Sequence, residues 1–262
     1  MGSDDGGPGP KPWLRQQERG TSPVHERDRV WIERRLAWCG QEFGPATTAP
    51  ALPGFVPQGF DGTQEWAEEL VRRVGAVMGA DVGPIRVRLV EPVPGTTPGR
   101  RHRVGEYREE DDGPVIELDR SVAARPDAFA ALIAHELAHA RLAGRPNLAG
   151  LRLTHAEEER LTDLLTVFLG MGVLTANAAD GYVRTAGFTV TPLGGLGDWE
   201  LTGRRDEPPH HMGYLKPSEF GYALSCWTLA RGESSPPWAG RLVPSVRSAF
   251  TRGLAYRAAR GN

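Results

Sequence analysis

Residues 128–144 read AFAALIAHELAHARLAG, a run of alanine, leucine and isoleucine that is interrupted by His135, Glu136 and His139. The apolar residues predict a helix over residues 126–143. Residues four apart on a helix differ by about 40° in direction, so the two histidines project one turn apart from one face. Because unpaired polar groups are costly inside an apolar environment, these three side chains must find partners in the fold.

The pattern His135-Glu136-x-x-His139 is the HExxH motif. Two imidazoles one turn apart can bind one tetrahedral Zn²⁺. Glu136 lies beside them, where it can take a proton from a metal-activated water instead of binding the metal. A chance match in an ordinary amphipathic helix is the alternative, and the apolar residues on both sides disfavour it. The motif therefore predicts a zinc-dependent hydrolase with Glu136 as its catalytic base.

A catalytic zinc site needs a third protein ligand, and residues 154–173, THAEEERLTDLLTVFLGMGV, offer several. Helical spacing places Glu159 and Asp163 one turn apart on a stripe of small and polar residues. A carboxylate among leucines must meet an N–H group, and a zinc-binding histidine commonly supplies one. The pair would present a ligand, Glu159, and an orienting group, Asp163. The other candidates for the third ligand are His155, Glu158 and Asp163 itself.

These residues resemble the gluzincins, the thermolysin-like class of HExxH metallopeptidases. The resemblance consists of His135, Glu136, His139, Glu159 and Asp163. In that class a glutamate on a second helix is the third zinc ligand, and an aspartate four residues later bonds a ligand histidine. The resemblance thus implies Glu159 as ligand and Asp163 as its partner, although Glu158 replaces the asparagine that often precedes the ligand. The pattern EERLTDLLTVFLGMGV…GYL…FGYAL also resembles a family of uncharacterised bacterial HExxH proteins.

Two further parts of the chain are candidates for substrate handling. His210, His211 and Tyr214, in the segment PPHHMGYL, could stabilise the oxyanion of peptide hydrolysis. The alternative is a solvated loop whose tyrosine packs on the core. An extended peptide can add to the edge of a sheet, and residues 115–118 are the candidate edge. The alternative is that they form a core strand, and the two interpretations are compatible.

The hydrophobic pattern predicts an α+β, zincin-like fold, with a small antiparallel or mixed sheet, an active-site helix and a mainly helical C-terminal half. Besides the helix at 126–143, we expect helices at 24–43, 63–78, 157–177, 217–231 and 240–260. Strands are expected at 85–90 and 115–118, with a long loop or hairpin excursion over 91–113 and irregular chain over 178–212. Residues 1–24 are expected to form a disordered tail. Residues 25–262 are expected to form one domain, helical over 25–80, with the strands and active-site helix over 81–145 and helical again over 146–262.

Composition narrows the possible partners. The net charge of −2 over 262 residues leaves no basic surface for nucleic acid, which argues against a DNA-linked protease. Two cysteines, an N-terminus without the apolar core of a signal peptide, and no apolar run of about 18 residues predict a cytoplasmic protein without a membrane partner. Nearly all basic residues are arginines, with Lys11 and Lys216 as the two lysines. This bias is typical of a GC-rich, bacterial genome.

Two functions fit this sequence. The first is a zinc metallopeptidase that acts on a peptide or protein by metal-activated water. The second is a zinc-binding regulatory or protein-interaction module with little or no proteolytic activity. A structural zinc site is closed by four protein ligands, whereas a catalytic one keeps a position open and needs a base. The presence of Glu136 favours the enzyme.

Overall fold

The computed structural model describes residues 20–91, 104–185 and 214–260, with residues 181–185 as backbone only. These residues form an α+β structure with a small mixed sheet, as predicted, and they contain eight α-helices and three strands. The helices are α1 Glu26–Phe43, α2 Gln64–Met78, α3 Pro126–Leu142, α4 Pro146–Ala149, α5 His155–Phe168, α6 Gly172–Thr185, α7 Pro217–Ala230 and α8 Pro244–Ala258. The strands are β1 Arg86–Val90, β2 Gly105–Glu110 and β3 Gly113–Asp119. Short 3-10 helices cover Arg120–Ala124 and Pro237–Arg241.

Several sequence predictions fall outside the described residues. They concern residues 1–19 of the predicted tail, residues 92–103 of the predicted excursion, and residues 186–212 of the segment expected to be irregular. His210 and His211 belong to this last part of the chain, so both lie outside the described residues.

The sheet has the order β1-β3-β2, with β1 parallel and β2 antiparallel to β3. The prediction that residues 115–118 form an edge is therefore wrong, because they lie in β3 and pair on both sides. Their apolar character reflects a central strand. The edge formed by β1 is covered by α2, where the Gln64 amide donates to the Val87 carbonyl (2.7 Å) and accepts from the Leu89 N–H (3.1 Å). The second edge strand, β2, packs against α3.

Strand β2 lies in the segment for which a loop or hairpin excursion was predicted. It forms a hairpin with β3 through the turn at Asp111 and Asp112, and β3 begins at Gly113, whose φ of +113° only glycine adopts readily. No residue of β2, GEYREE, is fully buried, and its charged side chains pair across the sheet. Arg108 pairs with Glu117 of β3 (2.7 Å). The hydrophobic pattern alone therefore gave little sign of this strand.

Helix α3 lies at the centre of the fold and packs against α2, α5, α6 and β2. Its alanines allow the neighbouring helices to approach closely, so the helix is buried on most of its circumference. The buried apolar residues are Phe129, Ala130, Ala131, Leu132, Ile133, Ala134, Leu137, Ala138 and Leu142. Although α3 is apolar, no helix in the described part of the chain is both long and apolar enough to cross a membrane.

The single helix expected over 157–177 is two helices. Gly170 adopts a φ of +93°, which ends α5. Its carbonyl accepts the Ala51 N–H (2.8 Å), and the Phe168 carbonyl accepts the Trp227 indole N–H (3.1 Å). Both carbonyl groups at the end of α5 are therefore hydrogen-bonded to distant parts of the chain. Helix α6 then runs to Thr185 through residues that were expected to be irregular.

The close crossing of α7 and α8 yields a testable prediction. A Cβ atom on Gly221 would lie 2.6 Å from both the Val246 carbonyl oxygen and the Ala249 Cβ. Gly221→Ala should force the helices apart and lower the free energy of unfolding by about 1–3 kcal/mol, measured by urea denaturation. Gly40→Ala is the control, since a Cβ there meets nothing within 4 Å. It should raise stability by about 0.5–1 kcal/mol. Equal stability of the two variants would contradict this packing.

Candidate metal centre

Two helices bring the candidate ligands together. Helix α3 directs His135 and His139 towards α5, and α5 directs Glu159 back towards them. The start of α5 is fixed by a capping box, in which the Thr154 side chain accepts the Glu157 N–H and the Glu157 carboxylate accepts the Thr154 N–H. The cap fixes where α5 begins, and Glu159, five residues into the helix, is buried and faces α3.

The ligand atoms form a nearly equilateral triangle. The Nε2 atoms of His135 and His139 are 3.2 Å apart. The Oε2 atom of Glu159 lies 3.2 Å from Nε2 of His135 and 3.4 Å from Nε2 of His139. The three residues form a group that can hold a metal ion, and no second group of three such residues occurs within 20–91, 104–185 and 214–260.

Asp163 fixes the orientation of His135. The carboxylate is 2% exposed, and its Oδ1 lies 2.9 Å from Nδ1 of His135. Its Oδ2 accepts the backbone N–H groups of Leu215 (2.9 Å) and Tyr214. A carboxylate that accepts two N–H groups on one oxygen accepts the Nδ1–H group of His135 on the other. Nε2 is then the ring atom of His135 that faces the Glu159 carboxylate.

The three atoms of the triangle can share a cation, either a proton or a metal ion, and the pKa shifts in the triangle reflect this. Burial favours the neutral imidazole of His135, but the hydrogen bonds to Asp163 and Glu159 outweigh it and raise its pKa well above 6.5. Burial also opposes the ionised form of Glu159, yet the bonds from His135 and His139 hold its pKa well below 4.5. The triangle is therefore built to stabilise a positive charge, as a metal site requires.

Glu136 stands beside the triangle, on the side of β2. Its side chain is almost fully buried and packs on Gly105, where a Cβ atom would lie 2.6 Å from Oε1 of Glu136. Burial raises the pKa of Glu136, while the nearby histidines and a hydrogen bond from the Tyr107 backbone act in the opposite direction. The carboxyl group is thus held close to the triangle, between α3 and the edge strand.

The remaining candidates lie around the triangle. His155 is exposed, and its Nε2 is 3.7 Å from Oε1 of Glu159, the oxygen that faces away from the two histidines. Glu158 does not belong to the metal-capable group. The Tyr214 ring is 47% exposed and nearly parallel to the His135 ring, with 6.4 Å between centroids and 15° between planes. It therefore lies at the mouth of the centre.

Three residues that contact Glu136 or His139 of the candidate metal centre were not predicted from the sequence. Gly105 and Tyr107, in strand β2, contact Glu136. Thr162 is fully buried, and its Oγ1 lies 3.4 Å from Nδ1 of His139. Thr162 lies on the polar stripe that links Glu159 to Asp163, so its position on the helix was the available signal.

Comparison of the chain with models of known protein families, with curated proteins and with solved structures finds no match. The resemblance to the gluzincins therefore rests on the five residues quoted above and on the geometry of the triangle.

The role of Asp163 can be tested by Asp163→Asn. The variant keeps one acceptor oxygen but places an NH₂ group against either His135 or the N–H groups of Tyr214 and Leu215. A buried donor then faces a donor, and the free energy of unfolding of the metal-free protein should fall by about 1–3 kcal/mol. Urea denaturation measures this change.

The matched control is Asp112→Asn, because the Asp112 side chain is 69% exposed and pairs with Arg86 at the surface. Its loss should cost under about 1 kcal/mol. Equal losses in the two variants would show that Asp163 does not hold the buried network together.

Proposed function

We propose that this protein is a zinc-dependent metallopeptidase. The observation that carries the proposal is the size of the triangle. Ligands of a tetrahedral ion are separated by about 1.6 times the metal–ligand distance, so zinc bonds of about 2.0–2.2 Å imply separations of about 3.3–3.6 Å. The separations of 3.2, 3.2 and 3.4 Å agree with this value.

The donor set supports zinc over the other common divalent ions. Two imidazole nitrogens and one carboxylate oxygen suit zinc, whereas magnesium and calcium prefer oxygen ligands. Three protein ligands also leave a fourth tetrahedral position for water or substrate, which is the arrangement of catalytic zinc sites. This set, His135, His139 and Glu159, is the one that the resemblance to gluzincins implies.

The proposed reaction is hydrolysis of a peptide bond. Zinc bound in the triangle would polarise the substrate carbonyl and lower the pKa of the attacking water. Glu136 accepts one proton from that water as its oxygen bonds to the carbonyl carbon. Glu136 then delivers the proton to the amide nitrogen as the C–N bond breaks, which releases a carboxylic acid and an amine. The raised pKa of the buried carboxyl suits a group that must both accept and donate a proton near neutral pH.

The edge strand β2 is the proposed position of an extended substrate. It replaces residues 115–118 in this role, because β3 lies in the middle of the sheet. The Glu136 side chain packs on Gly105, so a peptide lying along this edge would pass close to the proposed base. Of the three candidates for stabilising the oxyanion, Tyr214 is the one that lies within the described residues, and it lies at the mouth of the centre.

The zinc proposal predicts that purified protein contains about one zinc ion per chain, measured by inductively coupled plasma mass spectrometry. His135→Ala and His139→Ala each remove a ligand and should abolish stoichiometric binding. His155→Ala is the control and should keep the metal, because His155 lies outside the triangle. Full zinc retention in the His135→Ala/His139→Ala double variant would overturn the site.

The catalytic proposal predicts that Glu136→Gln keeps zinc but loses turnover by a factor of roughly 10²–10⁴, because the amide cannot accept the proton. Cleavage of a diverse peptide library, read by mass spectrometry, is the assay. The control is Glu65→Gln on an exposed position of α2, which should match the wild type. Zinc-loaded wild-type protein that cleaves nothing in such libraries would contradict the peptidase and favour the zinc-binding regulatory module.

A further inference from the structure

We propose that Thr162 is a positioning residue that fixes the ring orientation and the tautomer of His139. The inference rests on the proposed metal site, since it assigns a second supporting group to one of its ligands. Asp163 supports His135, and the preceding residue on α5 supports His139. Helix α5 would then contribute the third ligand and both orienting groups within residues 159–163.

The direction of the hydrogen bonds follows from the partners of the hydroxyl group. Oγ1 of Thr162 lies 3.0 Å from the main-chain carbonyl oxygen of Glu158 and 3.4 Å from Nδ1 of His139. A carbonyl oxygen only accepts, so the single hydroxyl proton goes to Glu158. For the contact with Oγ1 to be a hydrogen bond, Nδ1 of His139 is the donor, as it also is when Nε2 binds a metal ion. The lone pair of His139 is left on Nε2, the atom that belongs to the triangle.

The fold leaves the hydroxyl little freedom to adopt another arrangement. Thr162 has no exposed surface, and its bond to the Glu158 carbonyl is a bond to the preceding turn of its own helix. The position of Oγ1 is therefore tied to the backbone of α5. That same backbone carries Glu159, so His139 and the carboxylate ligand are oriented by one rigid element.

A hydroxyl group also suits the charge of the centre. Glu159, Asp163 and Glu136 already place three carboxyl groups at the buried centre. A further carboxylate behind His139 would add buried negative charge. Thr162 orients the ring without adding charge.

The test compares Thr162→Val, which removes the hydroxyl at nearly constant volume, with Thr162→Ser, which keeps it. In the metal-free protein, ¹⁵N chemical shifts of the His139 ring, recorded where that ring is neutral, report which nitrogen carries the proton. Wild type and Thr162→Ser should show the proton on Nδ1, and Thr162→Val should show a mixture of tautomers. Zinc affinity, measured by competition with a chromophoric chelator, should fall 10–100-fold in Thr162→Val alone.

Thr166→Val is the matched control. Thr166 is also fully buried on α5, one turn later, and its hydroxyl bonds the Asp163 carbonyl (2.7 Å) and the Thr175 hydroxyl (2.9 Å). It should lose stability as Thr162→Val does, yet keep the wild-type tautomer and zinc affinity. An unchanged His139 tautomer in Thr162→Val, or equal zinc affinity in the two valine variants, would overturn the assignment. If the wild type binds no zinc, the proposed function fails, while the tautomer of His139 still decides the role of Thr162.

Discussion

The rest of the centre depends on the hydrogen bonds that the Asp163 carboxylate accepts. This carboxylate is buried where α3, α5 and the start of α7 meet, and it accepts hydrogen bonds from three N–H groups. One of these donors is His135, and the other two are backbone groups of Tyr214 and Leu215. A buried charge is tolerated only when it is hydrogen-bonded in this way. The same bonds that satisfy Asp163 therefore orient a ligand and fix the chain that leads into α7.

Helix α5 also holds the segment that leads into α7 at a second point. The guanidinium group of Arg160 lies 3.0 Å from the Glu219 carboxylate on α7 and 3.1 Å from Asp28 on α1. Glu219 also accepts the Lys216 N–H (2.9 Å), which caps the first turn of α7. The segment that carries Tyr214 is thus attached to α5 through Asp163 and again through Arg160. Residues 159–163 of one helix organise both the candidate metal ligands and the mouth of the centre.

Much of the candidate centre could be predicted from the sequence because it obeys local rules. The spacing of His135 and His139 on a helix fixes their common face. The apolar surroundings of Asp163 predicted an N–H partner, and His135 supplies one. Glu159 follows from its position one turn before Asp163. In each case a polar residue in an apolar helix signals a contact, even though its partner lies far away in the sequence.

The parts that sequence could not predict depend on long-range contacts. Strand β2 has no fully buried residue and carries charges that pair across the sheet, so its pattern does not identify a strand. Residues 115–118 are apolar, and only the pairing of β2 shows that they are central and not an edge. The break at Gly170 is stabilised by the distant Ala51 N–H. Thr162 has an ordinary place on α5, and its role depends on where α3 places His139.

The central claim is that α3 and α5 together bind zinc through two imidazoles and one carboxylate. X-ray absorption at the zinc K-edge of the purified protein tests it most directly, because the spectrum reports the type and distance of each ligand atom. The account predicts nitrogen and oxygen neighbours at about 2.0–2.2 Å, with the outer-shell scattering of two imidazole rings. A sulfur neighbour at about 2.3 Å, or a spectrum without imidazole scattering, would contradict it.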